Sequence, residues 1–222
     1  MKVAKETMAA EMAHIFLTDA QEMLPPASVE SADYFAGLVA RARAGDETAF
    51  ERIMLATEQR VVSIAWRMLG NQDDARDAAQ DVYLRVFKYL ARFRAGEDFR
   101  GWLYRITINV CHDFARKKGA AGIGQIDFVS ESAALESRSL GADPESLALQ
   151  EQQLALIRSA LQSLPPKERA ALVLRDLEGF STEEVAQALG SRPVTVRSQV
   201  SSARGKIKSY CDKIARKKGA SR

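Results

Sequence analysis

Long apolar runs are missing from this chain of 222 residues. No stretch approaches the roughly 18 consecutive apolar residues that a membrane span requires. The opening segment MKVAKETMAAEMAHIF is too polar for an export signal, so a cytoplasmic protein with no membrane insertion is expected. Cysteine is scarce: Cys111 and Cys211 lie far apart with no CxxC spacing, which argues against a disulfide framework and suits a reducing compartment. Histidine is equally scarce, only His14 and His112, so no zinc site is expected and the cysteines read as small core residues. No alternating strand pattern competes with helical periodicity anywhere. No nucleophile–base pair, metal cluster or phosphate-cradling glycine loop stands out, so enzymatic chemistry, a metal and a cofactor are all unexpected.

What the chain does have is ordinary globular composition, 46% hydrophobic and 27% charged, and length enough for two small domains. Its formal net charge is only +3, but the charge is segregated. Residues 192–222 carry ten cations against Asp212 alone; residues 119–150 carry Arg138 against five acids, and residues 1–32 set two lysines against five acids. Segregation of this kind indicates partners of both signs, with nucleic acid at the basic end.

Glycine and proline divide the sequence. Residues 1–32, containing LPPAS, read as an amino-terminal arm. Helices are predicted over 33–43, 46–70, 71–93 and 99–118, with Asp46 as an N-cap and Gly70 as a closing residue. Periodicity vanishes from 119 to 144, where Gly, Ser and Ala dominate; this reads as an acidic linker or as an inert flexible spacer. Further helices are predicted over 145–163, 166–178, 182–189 and 194–215, followed by a basic tail over 216–222. The expected fold is all-α: two small helical domains, 33–118 and 145–215, on a flexible acidic tether.

The last two helices carry the clearest pattern. Ser181 and Glu184 form a capping box, Gly190 closes the helix, and Pro193 suits the first turn of the next. Val196, Val200, Ala203 and Ile207 recur at helical spacing as a buried stripe. Arg197, Ser201, Arg204 and Lys208 follow the same steps displaced by one residue, about 100° round the helix, with Ser198 and Ser202 beside them. A helix–turn–helix whose second helix is anchored on one face and cationic on the next reads as a DNA reader; a solvated surface helix is the bland alternative.

The first domain is less decisive. In FRGWLYRITINVCHDFARKK, residues 99–118, the expected core stripe is Leu103, Ile106, Val110 and Phe114. Trp102, Arg105, Asn109, His112 and Arg116 share another face. Aromatics beside cations can stack on unpaired bases. Phe93 and Phe99, flanking RAGED, read as the available rings, whereas Phe87 and Trp102 read equally well as core. The preceding helix is acidic at Asp73, Asp74, Asp77 and Asp81, with Gln80, from good capping or from a docking face for a basic protein surface.

Three segments in register resemble a sigma factor of bacterial RNA polymerase, of the compact extracytoplasmic-function type. DARDAAQDVYLRVFKYLARF, residues 74–93, resembles the segment that grips the polymerase clamp helices. Residues 99–118 resemble the helix that recognises the minus-10 element. LPPKERAALVLRDLEGFSTEEVAQALGSRPVTVRSQVSSARGKI, residues 164–207, resembles the domain that reads the minus-35 element. The resemblance implies core-polymerase contacts at Asp77, Gln80 and Asp81. It implies minus-10 contacts at Phe93, Phe99, Trp102, Arg105, Asn109, Arg116 and Lys117, with the 93–99 loop capturing a flipped base. It implies minus-35 contacts at Thr195, Arg197, Ser198, Ser201, Ser202 and Arg204; relatives often carry a bulky residue and an Arg where Ser201 and Ser202 stand, so this variant leans more on phosphates. Core RNA polymerase, promoter DNA and an anti-sigma protein are the implied partners, in a stress or envelope response. The rival expectation is a stand-alone helix–turn–helix regulator with an amino-terminal sensor or dimerisation domain.

Overall fold

The computed structural model describes residues 32–94, 96–120 and 144–220, and every element among them is helical. The first group comprises α1 (Ala32–Arg43), α2 (Glu47–Leu69), α3 (Gln72–Tyr89), a 3-10 turn (Leu90–Arg92) and α4 (Phe99–Ala120). The second comprises α5 (Pro144–Gln162), α6 (Pro166–Leu172) running on as a π-helical turn (Val173–Leu177), α7 (Thr182–Ala188) and α8 (Pro193–Ala220). The predicted arm and linker lie outside the described residues.

Local chemistry sets the boundaries. Asp46 accepts from the Ala49 amide at 3.0 Å and pairs with Arg41 at 2.6 Å, closing the α1–α2 turn. Those two contacts, the amide first, hold the Asp46 carboxyl below its usual range. Gly70 ends α2 at φ +72°, its amide donating to the Trp66 carbonyl at 2.7 Å. Asn71 then caps α3 by accepting from Asp74 at 3.0 Å. Ile53, Val61 and Ile64 of α2, Val82 and Val86 of α3, and Leu103 and Val110 of α4 fill the core of this group without exposure. Each such side chain contributes about 1.5–3 kcal/mol by leaving water.

Three boundaries differ most from the predicted ones. The helix expected over 166–178 changes character at Val173, where the Glu178 amide reaches back to the Val173 carbonyl at 2.9 Å, a five-residue step. The last helix continues to Ala220 instead of stopping near 215, so the basic tail is largely helical. Lys and Arg are good helix formers and complement the negative end of the helix dipole, which favours that extension. The acidic helix gives way to a 3-10 turn before Phe93.

The two groups pack on each other. Tyr104 of α4 meets Phe180 of the α6–α7 turn edge-on, ring centroids 5.4 Å apart. Gln162 and Arg169 of the second group donate to carbonyls at the end of α2, Arg67 and Met68 for Gln162 and Met68 for Arg169. This contact explains a misreading of α4. The sequence suggested one apolar stripe, yet Tyr104, Thr107, Ile108 and Cys111 are buried too, while Ile106 and Phe114 are only partly so. His112, expected beside Arg105 and Asn109, is half-buried near Pro166, with Nε2 unpartnered among the described residues. Burial pushes its pKa down.

Candidate nucleic-acid interface and docking face

The α7–α8 unit forms as its sequence directs. Ser181 Oγ accepts from the Glu184 amide at 3.2 Å, and the Glu184 carboxylate accepts from the Ser181 amide at 2.7 Å. The Ser181 side chain, and then its amide, hydrogen-bond the carboxylate and lower the Glu184 pKa. Gly190 takes φ +58° in the turn, and Pro193 opens α8. Val196, Val200, Ala203 and Ile207 are all buried, as the spacing predicts. Thr195, Arg197, Ser198, Ser201, Ser202 and Arg204 are all exposed on the outer side of α8.

Acids of the preceding helices hold several of these groups. Arg204 makes two bonds to Asp176, at 2.8 and 2.7 Å, with the Asp176 side chain nearly buried. Ser202 donates to Glu168 at 3.2 Å, and Lys206 reaches the same carboxylate at 2.7 Å. Arg197 is held more loosely, 3.3 Å from an exposed Glu183, a pair of little energetic weight. Of Arg197 and Arg204, Arg197 is thus the more easily handed to a phosphate or a guanine edge, with Ser198 and Ser201 small enough to allow close approach.

A cleft of about 360 Å³ lies beside this helix, lined by Arg175, Thr182, Arg197, Ser201 and Arg204 among others. The sequence reading passed over Arg175. It sits inside the π-helical turn, where one extra residue per turn shifts the side chain away from its α-helical direction. Only its place in the run RDLEG, just before the capping box, could have signalled it.

In the first group, Arg105, Asn109, Arg116 and Lys117 are exposed along α4 and Trp102 is half-buried. Arg116 pairs with Asp113 at 2.9 Å. The expectation for Phe93 and Phe99 needs correcting: each is only 5% exposed. Their rings join Phe35 and Trp102 in one cluster, with centroids 5.2–5.8 Å apart. The loop folds back because Asp98 accepts from the Arg100 and Gly101 amides at 3.0 and 2.9 Å, turning Phe99 inward as α4 starts. Burial of two large rings outweighs their availability. Tyr89 is the more exposed ring here, with Lys88 and Arg92 about 5.6 and 5.7 Å from its centroid.

The acidic helix also resolves. Asp73 and Asp74 occupy its first turn, where capping and the dipole account for them. Asp77 and Gln80 are exposed and Asp81 is half-buried, all beyond that turn, where the dipole no longer explains them. On the same helix, Leu84 and Phe87 stand 68% and 65% exposed, Phe87 resting edge-on against Phe50 at 5.2 Å. Leu84 was not singled out from the sequence, since a leucine at helical spacing reads as core. An acidic strip running into exposed apolar side chains has the composition of a protein-docking face.

The fold thus carries a helix–turn–helix with an exposed cationic face and, apart from it, an acidic–apolar strip. Residues 53–121 match the Sigma-70 region 2 family, and residues 154–207 match Sigma-70, region 4. The chain is 34% identical over 188 residues to the ECF RNA polymerase sigma factor SigE of Mycolicibacterium smegmatis, covering 83% of this chain and 71% of that protein. It is 29% identical over 187 residues to the ECF RNA polymerase sigma-E factor of Escherichia coli, covering 81% and 95%. The sigma factor RpoE of Bartonella quintana, solved with the anti-sigma factor NepR, superposes with a TM-score of 0.57 at 25% identity, covering 72% of this chain and 95% of that one. CnrH, solved with the cytosolic domain of CnrY, shares the fold at a TM-score of 0.61 and 24% identity, over 82% and 98%. The chain belongs to the ECF family of RNA polymerase sigma factors.

Proposed function

We propose that the chain directs core RNA polymerase to promoters through three separate surfaces. The α3 strip of Asp77, Gln80 and Asp81, extended by Leu84 and Phe87, docks on core polymerase. The exposed edge of α4, with Trp102, Arg105, Asn109, Arg116 and Lys117, follows the minus-10 strand. Arg197, Ser198, Ser201 and Thr195 on α8 read the minus-35 element, while Ser202 and Arg204, tied to Glu168 and Asp176, brace that helix as it meets phosphates. Phe93 and Phe99 support the minus-10 loop from beneath instead of stacking on the captured base. The domains are 33–118 and 145–215, joined by the 119–144 linker.

The observation that carries this reading is the coexistence, on one chain, of an acidic–apolar docking strip and a cationic helix–turn–helix. A stand-alone regulator is not favoured, because both halves match sigma regions. The chain works in the cytoplasm, where the polymerase is, and an anti-sigma protein restrains it in a stress or envelope response. The relative solved with NepR supports that control. Reconstitution with core polymerase on genomic DNA, followed by sequencing of transcript 5′ ends, tests the proposal. Defined new starts sharing paired upstream elements are expected; no start above the core-only background would refute it.

A further inference from the structure

On α8 the buried residues Val196, Val200, Ala203 and Ile207 fix which way the helix faces. At about 100° per residue, the ridge opposite that stripe runs through Val194, Ser198, Ser201 and Gly205. All four are exposed. Arg197, Arg204 and Lys208 line one flank of the ridge, and Thr195, Ser202 and Lys206 line the other. A recognition helix laid in a major groove brings its outermost ridge nearest the base edges and its flanks toward the phosphate walls.

The ridge carries no charge and no long side chain. Glycine is unfavourable inside a helix, and a Cβ at Gly205 would meet nothing within 4 Å, so packing within the chain gives no reason for it. Ser198, Ser201 and Gly205 instead let this stretch of backbone come close to the groove floor. The flanking groups are already engaged: Arg204 bonds Asp176 at 2.8 and 2.7 Å, and Ser202 and Lys206 share Glu168 at 3.2 and 2.7 Å. Val194 alone on the ridge is apolar and branched. It is 64% exposed and sits in the first turn, the part of a recognition helix that reaches base edges. A lone exposed valine elsewhere on a surface needs no explanation. At this place its two methyl groups face a groove in which the C5 methyl of thymine is the apolar feature that tells one base from the others.

We propose that Val194 determines specificity in the upstream element, by packing on the C5 methyl of one thymine. The inference rests on the proposed minus-35 role of α8 and adds the base that its first turn selects. Val194 makes no hydrogen bond, so its whole contribution is apolar contact. Burial of one methyl-sized group corresponds to about four-fold in affinity.

The test uses the holoenzyme formed from the full chain and core polymerase. Duplexes randomised across the upstream element are first selected on the wild-type holoenzyme. In the enriched duplex each thymidine is then replaced, one at a time, by deoxyuridine, which deletes the C5 methyl and keeps the pairing edge. Competition binding compares wild type, Val194→Ala and Val194→Ile, with helix content checked by circular dichroism. Wild type is expected to lose about four-fold at one thymine and little at the others. Val194→Ala should bind the unmodified duplex about four-fold more weakly and no longer distinguish thymine from uracil at that position; Val194→Ile should still distinguish them. An enriched element without thymine, or one in which every uracil is tolerated by wild type, would overturn the assignment. So would a Val194→Ala holoenzyme that discriminates as well as wild type, because another group would then be reading the methyl. If selection enriched no upstream element at all, the promoter reading itself would fail and the assignment with it.

Discussion

Replacing Phe99 by alanine separates a structural role for the 93–99 loop from a base-stacking one. The ring is 5% exposed and lies 5.8 Å from Phe35, 5.7 Å from Phe93 and 5.8 Å from Trp102. Truncating a buried phenylalanine typically costs about 3–5 kcal/mol, partly for lost burial and partly for the cavity. The ring pairs are each worth about 0.5–1.5 kcal/mol and form part of that loss. At about 1.4 kcal/mol per decade, the folding constant should fall by roughly two to three and a half orders of magnitude. Urea unfolding followed by circular dichroism and tryptophan fluorescence measures this directly, because Trp102 adjoins the site. Phe99→Leu keeps most of the volume and should cost less than about 1.5 kcal/mol. A base-stacking ring would behave otherwise: Phe99→Ala would leave stability within about 0.5 kcal/mol while weakening promoter opening. That result would refute the burial argument.

Three other perturbations probe separate faces. Asp81→Lys should weaken association with core polymerase in a titration with labelled polymerase while leaving the unfolding midpoint nearly unchanged, since Asp81 is only half-buried. Arg197→Ala should reduce binding to the upstream element and lower the salt slope by about one if the contact is to a phosphate; if it is to a guanine edge, it should cost about 1–3 kcal/mol at one position. Ser181→Ala should destabilise the second helical group by about 1 kcal/mol through loss of the capping box. Because the Glu184 pKa is lowered in the folded state, the stabilisation is complete above the ordinary glutamate value of 4.5 and is lost as pH falls through the folded value. The Ser181→Ala difference in thermal midpoint should therefore shrink in acid.

Most helix limits were legible because they are set by local chemistry. Asp46, Gly70, Asn71, Ser181 with Glu184, and Gly190 each satisfy or terminate a backbone within a few residues of themselves, and the structure shows the bonds. The stripe on α8 was legible for the same reason: its apolar residues face a single neighbouring surface. The α4 helix was not, because it is packed from two sides, and single-face periodicity cannot anticipate burial of Tyr104, Ile108 and Cys111. Phe93 and Phe99 were misjudged on their charged neighbours, although Asp98 turns the chain so that the rings point inward. Arg175 and Glu178 escaped notice because their directions depend on a π-helical turn and on a contact between distant parts of the chain.

The most direct measurement is promoter-DNA affinity of the purified chain alone and with equimolar core polymerase, by fluorescence anisotropy at one fixed salt concentration. The account predicts weak, salt-sensitive binding by the chain alone and tight, sequence-specific binding only when polymerase is present. Equally tight and specific binding without polymerase would contradict it, for the chain would then find its site unaided.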